Sequence, residues 1–338
     1  MTAPPRPWLL ADIGGTNARF GWLDEGARAA TEVQTLKTAE HDGPAAAARA
    51  YLDALRARRG GDDVVPRAAA FAVATAVAGD RIEFTNSGWA FSRADTEREL
   101  GLARLVVLND FEALALSLPA LDEQQVRPIG HAGRAAGTGA AAGAPACATR
   151  AVIGPGTGLG VAGLVPHRGA WVAVASEGGH ASLAAADELE SALLALVRRE
   201  YRHVSAERLL SGIGLPVLHG ALARLEGRAA PALATEEIVE RALAGHDPLA
   251  GHTIDLFCAL LGGFAGNVAL TFGARGGVYI GGGIVPRLGE RFFASQFRAR
   301  FEAKGRFEGY LQAIPTLLIT DTLAALTGAA LALEQSGA

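Results

Sequence analysis

Residues 9–21 read LLADIGGTNARFG. An apolar run ends in Asp12, the chain turns through Gly14 and Gly15, and Thr16 and Asn17 follow before a second extended run over 18–23. Two such runs joined by a Gly-Gly turn predict a β-hairpin. Its tip carries a carboxylate and a hydroxyl. Backbone N–H groups exposed by glycines, together with a Thr hydroxyl, can hold phosphate oxygens, and an acid beside them can hold Mg²⁺. A plain β-turn whose Asp12 and Thr16 cap backbone groups accounts for the same residues.

A chain of 338 residues can bury a large core and divide into two domains or lobes. Half of it is hydrophobic but only 6% is aromatic, so the core is built from small aliphatic groups. The small formal charge of −4 argues against a nucleic-acid partner. Cys147 and Cys258 lie far apart without CxxC spacing and are expected to be reduced thiols. The N-terminus, MTAPPRPW, lacks the layout of a signal peptide, and apolar runs such as 68–79 are too short to span a bilayer. The expectation is a cytoplasmic enzyme without a membrane partner.

Residues 31–36 extend the opening hairpin as a third strand. A helix is predicted over 44–58, a buried strand over 67–77, a strand over 81–86, and a short helix capped by Ser92 and ending at Gly101. A strand over 105–108 and a helix over 111–118 follow. This order predicts a mixed sheet with helices on its faces. The Ala/Gly-rich stretch 130–149 is read as a surface loop. Residues 151–165, AVIGPGTGLGVAGLV, then repeat the opening theme of strand, glycine turn with a hydroxyl, and strand. Helices are expected over 187–200, 206–210, 235–244, 254–272 and 322–334, with strands over 276–280 and 316–320. The repeated hairpin suggests a duplicated α/β core with two phosphate loops on a shared cleft.

Four further groups carry chemistry. Asn109 and Asp110 sit where the apolar strand LVVL gives way to a helix, the end of an α/β sheet at which ligands bind; an N-cap Asp is the competing reading. SEGGH puts Glu177 and His180 around two glycines without metal-ligand spacing, which suits sugar hydroxyls or merely a solvated loop. Ser205 and Glu207 read, on residue physics alone, as the capped first turn of a short helix. Gly281, Gly282 and Gly283 follow a buried strand and let the backbone approach a flat ligand. Neither a Rossmann GxGxxG unit nor a GxxxxGK[ST] loop is present.

Together these stretches resemble the bacterial ATP-dependent glucokinase family of the actin-like ATPase and sugar kinase superfamily. LLADIGGTNARFG resembles its first phosphate motif, LNDFEALALSLP its catalytic-aspartate segment, and VIGPGTGLGVAGLV its second phosphate motif. SEGGHASLA and HVSAERLLSG resemble its sugar-binding segments, GGVYIGGGIVPRL its adenosine segment, and FTNSGWAFS also fits. The motifs run in family order from residue 9 to the C-terminus.

The resemblance implies a two-domain α/β fold of the actin-like ATPase (ribonuclease H-like) type, with a cleft between the domains. Residues 1–120 and 321–338 would form the smaller domain and 121–320 the larger, dimer-forming one. The implied activity is transfer of the γ-phosphoryl group of ATP to the 6-hydroxyl of glucose, feeding glycolysis. Asp110 would be the base. Asn109, Asp110, Glu177, His180 and Glu207 would bind glucose, which replaces the helix-start reading of Glu207. Asp12 would organise Mg²⁺ through water. ATP would be held by Asp12, Gly14, Gly15, Thr16 and Asn17, by Gly156, Thr157 and Gly158, and by Gly281–Gly283. The Cys-rich zinc motif of the related repressor–kinase group is missing.

A sugar-binding regulator that keeps the fold without turnover is the alternative. The first strand is expected to begin about eight residues in, which would leave such a regulator no room for an N-terminal helix-turn-helix. An actin-like ATPase or acetate-type kinase would not need the SEGGH and VSAE polyol set.

Overall fold

The computed structural model describes residues 3–61, 63–84, 88–130, 147–229 and 231–337. The expected loop over 130–149 falls mostly outside them, as do residues 85–86 of the expected 81–86 strand and residues 85–87 of the FTNSGWAFS match. The chain forms two compact units, Met1–Leu121 with Thr322–Ala338, and Asp122–Asp321.

The first unit contains β1 (Trp8–Ile13), β2 (Asn17–Leu23), β3 (Thr31–Lys37), β4 (Ala68–Val73), β5 (Arg81–Glu83), β6 (Ala90–Ser92) and β7 (Arg104–Asn109). Five of them form one sheet in the order β3-β2-β1-β4-β7. β1, β2 and β3 meander antiparallel, whereas β1, β4 and β7 run parallel. Side chains alternate across a strand, and both faces are covered. Leu9, Ala11 and Ile13 pack with Tyr51, Leu52 and Leu55 of the helix Pro44–Arg59. Trp8 and Leu10 pack with Leu326, Ala329 and Leu333 of the C-terminal helix Ala324–Gln335. That helix begins later than expected, and the carbonyl of Thr322 ahead of it accepts from Arg19.

The second unit contains β8 (Val126–Pro128), β9 (Arg150–Pro155), β10 (Leu159–His167), β11 (Ala170–Ser176), β12 (Val278–Ile280) and β13 (Thr316–Ile319), in the order β11-β10-β9-β12-β13-β8. Without β8, its order and directions repeat those of the first sheet. The duplication expected from two glycine hairpins is therefore present in the strand order.

Three expectations are corrected here. Residues 206–210 form turns rather than a helix: the amides of Arg208 and Leu209 donate three residues back, to the carbonyls of Ser205 and Ala206, while Ala206 and Glu207 donate to Ala181 and Gly179 of another segment. The helix Leu215–Leu225 and strand β11 went unread. The helix Pro248–Phe272 is long and apolar enough to cross a membrane, contrary to the reading that no stretch is, yet most of it is buried inside the unit. Its Ile254, Phe257, Leu261 and Ala265 belong to the core cluster.

Buried in the same unit, His219 is 2% exposed and its Nε2 has no hydrogen-bond partner. Burial lowers its pKa below the ordinary 6.5, with Asp247 opposing and Arg241 and Arg228 assisting. The unfolded chain thus takes up the proton first as pH falls. The contribution to stability is complete above pH 6.5 and is lost as pH drops from 6.5 through the folded-state pKa. Urea unfolding at about pH 7.5 and about pH 5.5 should show stability falling with acid. His219→Leu should flatten that fall; an unchanged fall would exclude His219 as its source.

Candidate active site

The hairpin tip between β1 and β2 is closed by the Gly14 amide donating to the Asn17 carbonyl at 2.9 Å. Thr38, buried just beyond β3, ties the tip back. Its amide donates to the Thr16 carbonyl at 3.0 Å and its hydroxyl to the Gly15 carbonyl at 2.8 Å. Among the described residues, the Gly15 and Thr16 amides and the Thr16 hydroxyl have no acceptor. The tip therefore turns its carbonyls inward and keeps donors for an anion. Sequence reasoning missed Thr38, whose only signal was a hydroxyl just past the third strand.

Asp12 lies opposite Arg19 in the β1–β2 register, with Arg19 Nη1 3.8 Å from its Oδ2. Burial raises the Asp12 pKa and Arg19 opposes the rise. No hydrogen bond reaches its carboxylate among the described residues. An acid that is costly to ionise and short of partners fits an oxygen ligand for a hard cation such as Mg²⁺, which commonly uses one or two carboxylates plus phosphates. No cluster of three or more His, Cys, Asp or Glu suited to a metal occurs among the described residues.

At the end of β7, Asn109 rather than Asp110 caps the helix Asp110–Ser117. The Asn109 Oδ1 accepts from the Phe111 amide at 2.9 Å, and its Nδ2 donates to the Thr75 carbonyl at 3.1 Å. Asp110 occupies the first helical position, where the N–H ends of the first turn favour negative charge; its Oδ1 accepts from the Phe111 amide at 2.9 Å. Parallel pairing aligns Ile13, Val73 and Asn109 at the carboxyl ends of β1, β4 and β7. Asp12 and Leu108 are two strand spacings apart, roughly 10 Å. The parallel strands thus bring Asp12 and Asp110, 98 positions apart in the chain (110 − 12), to the same end of the sheet.

The second unit repeats this construction. Between β9 and β10, the carbonyls of Gly156 and Thr157 accept from the amides of Gly212 at 2.7 Å and Ile213 at 3.5 Å. The Thr157 and Gly158 amides have no acceptor among the described residues. Again the loop is tied back by its carbonyls, and again the sequence did not announce the tie. Gly281 donates to the Ile153 carbonyl at 2.7 Å, so the triple glycine sits against the end of β9. Gly282 has φ +76°, and a Cβ there would press on the Pro155 carbonyl. Glycine is required for backbone packing, apart from any ligand.

His180 is flanked by two carboxylates, Glu177 Oε2 and Glu207 Oε1, each 3.9 Å from its Nε2. Glu177 and His180 are 68% and 59% exposed at their side chains, Glu207 only 21%. The Glu207 Oε2 accepts from the Leu159 amide at 2.8 Å, directly after the second glycine loop. Residues 181–183 and 204–206 are laced together by Leu183 N to Val204 O and Ala206 N to Ala181 O. Glu177, His180 and Glu207 are thereby gathered into one cluster of acceptors and a ring nitrogen, suited to a polyol. Asn109, with its amide committed as cap and brace, and Asp110 belong to the other unit.

The family model for glucokinase matches residues 9–336. A glucokinase from Aromatoleum aromaticum is 48% identical over 330 residues, covering 98% of this chain and 95% of that protein. The crystal structure of a glucokinase from an Antarctic psychrotroph superposes with a TM-score of 0.84 at 36% identity, covering 97% of this chain and 99% of that one. A glucokinase from Balamuthia mandrillaris, solved in complex with glucose, shares the fold at a TM-score of 0.79 and 20% identity, over 98% of this chain and 94% of that one. With the family match spanning nearly every residue and the duplicated sheets carrying its motifs, the chain belongs to the glucokinase family.

Proposed function

We propose that this ATP-dependent kinase transfers the γ-phosphoryl group of ATP to the 6-hydroxyl of glucose with Asp110 as the base. The activity follows from membership of the glucokinase family. The observation that best supports the residue assignment is the pair of hairpin tips whose carbonyls are tied back and whose amides are left to donate. Gly14, Gly15, Thr16 and Asn17 hold the terminal phosphates from one tip, and Gly156, Thr157 and Gly158 from the other. Gly281, Gly282 and Gly283 flank the adenosine. Glu177, His180 and Glu207 bind sugar hydroxyls, with Asn109 contributing beside Asp110.

Phosphoryl transfer passes through a loose transition state, so the protein chiefly positions groups and stabilises charge. Asp110 orients the 6-hydroxyl and takes its proton as that oxygen bonds to the γ-phosphorus and the bond from phosphorus to the β–γ bridging oxygen breaks, releasing ADP. Mg²⁺, organised by Asp12 through water, would neutralise charge on the terminal phosphates. The two units serve as the smaller and larger domains of the kinase. A cytoplasmic homodimer belongs to the same proposal and rests on the family resemblance.

A coupled ADP-release assay with ATP and Mg²⁺ against a panel of hexoses tests the reading. Turnover that depends on glucose supports it, and ATP hydrolysis indifferent to sugar would exclude it. Removing Thr38's hydroxyl costs one hydrogen bond, about 1 kcal/mol. Thr38→Val should therefore raise KM for ATP about fivefold and leave KM for glucose nearly unchanged. Equal changes in both would show that Thr38 is not specific to the phosphate tip.

A further inference from the structure

The segment from Ala206 to Ile213 touches both ligand-binding stretches of the second unit. On one side, the amides of Ala206 and Glu207 donate to the carbonyls of Ala181 and Gly179, next to His180. On the other, the amides of Gly212 and Ile213 hold the carbonyls of Gly156 and Thr157. The Ser211 hydroxyl donates to the Glu207 carbonyl at 2.7 Å and accepts from the Gly214 amide at 3.1 Å, which stiffens the link between the two ends. Glu207 itself spans the two functions. Its Oε1 faces His180, while its Oε2 receives the Leu159 amide at 2.8 Å.

Gly158 makes the arrangement sensitive. A Cβ on this residue would lie 2.5 Å from the Glu207 Oε2 and 3.4 Å from its Cδ, and among the described residues beyond its chain neighbours it would meet no other side chain or backbone within 4 Å. Space at the second phosphate tip is thus set by the position of a carboxylate in the sugar cluster. The clash is with the end of a side chain, which can move without unfolding the backbone.

We propose that Glu207 is a coupling residue between the hexose and nucleotide sites: a sugar held by its carboxylate positions the tip at Gly158–Leu159, and an occupied tip in turn positions the carboxylate for the sugar. The proposal deepens the functional reading above and rests on it. Coupling between two ligands is reciprocal by necessity and is commonly about 5- to 150-fold. Each ligand should therefore tighten the other by at least about fivefold.

The test measures glucose binding by calorimetry to the intact protein without nucleotide, for the wild type, Gly158→Ala, Glu207→Ala and the double variant. Gly158→Ala should weaken glucose binding about tenfold, although residue 158 lies at the phosphate tip, and it should add nothing further in the Glu207→Ala background. In a second measurement, without sugar, Glu207→Ala should weaken a non-hydrolysable ATP analogue with Mg²⁺ several-fold, an effect that a residue acting on sugar alone would not have. Gly158→Ala binding glucose like the wild type, full additivity in the double variant, or unchanged nucleotide affinity in Glu207→Ala would each overturn the coupling while leaving the kinase reading intact. A wild-type protein that binds no glucose would overturn both.

Discussion

Asp110→Ala should lower kcat on glucose by about 10³-fold, within the range of roughly 10²–10⁴ for one positioned base, while the sugar should still bind. The structure makes this substitution clean. Asn109, not Asp110, caps the helix Asp110–Ser117, so the helix keeps its N-cap when the carboxylate is removed. Alanine is also a strong helix former. Thermal stability should therefore fall only by the lost first-turn charge and Phe111 contact, about 1 kcal/mol, and a loss of activity far beyond that would report on chemistry. Asn109→Ala behaves oppositely: it removes the cap and the brace to the Thr75 carbonyl, at a cost of about 1 kcal/mol or more in stability. Steady-state rates, glucose titration and melting on both variants separate the roles. Turnover of Asp110→Ala within a few-fold of wild type would sink the assignment.

Gly328→Ala is expected to destabilise the first unit and to slow turnover together. In an ordinary helix interior, Gly to Ala stabilises by up to about 1 kcal/mol. Here the added Cβ would land on the Ala113 carbonyl, 2.5 Å from the Ala113 carbonyl carbon. Both atoms are backbone, so neither can swing aside, and the C-terminal helix must separate from Asp110–Ser117. Overpacking of this kind costs about 1–3 kcal/mol, sometimes more, so the clash outweighs the propensity gain. Because Asp110 opens the displaced helix, kcat should fall about 10- to 100-fold, as a misplacement of about 1 Å can cost 10²-fold. Calorimetric melting and initial rates on the same preparation check both effects. A variant as stable and as fast as the wild type would show that the two helices can part freely.

Much of the fold was legible because its signals are local. The apolar run of β1, the glycines of the tip and the apolar run of β2 specify a hairpin without outside help. Ser92 accepts from the Asp95 amide as the expected N-cap. The helix Thr235–Ala244 ends at Gly245, φ +77°, as its sequence suggests. Where backbone groups are satisfied by distant partners, local reading failed. Residues 206–210 read as helical from Ser205 and Glu207, but the segment is pinned to residues 179 and 181 through the amides of Glu207 and Ala206 and closes into turns. The Pro248–Phe272 helix was read shorter than it is, because Asp247 caps it before the apolar run becomes continuous.

For the candidate site, residue chemistry and motif order were carried by the chain itself, because a glycine turn beside a hydroxyl or an acid at a strand end is written in consecutive residues. What the tertiary structure decided is which groups those residues leave available. Thr38 and Gly212–Ile213 tie back the carbonyls of the two tips from positions no local pattern connects with them. Asn109 takes the cap and leaves Asp110 at the first helical position. Glu207, indistinguishable in sequence from a helix-start acid, joins His180 in one cluster and braces the second glycine tip at once. Hydrogen-bond satisfaction is a property of the folded chain: each donor or acceptor takes the partner that folding brings within reach, and only the groups left over can bind a ligand.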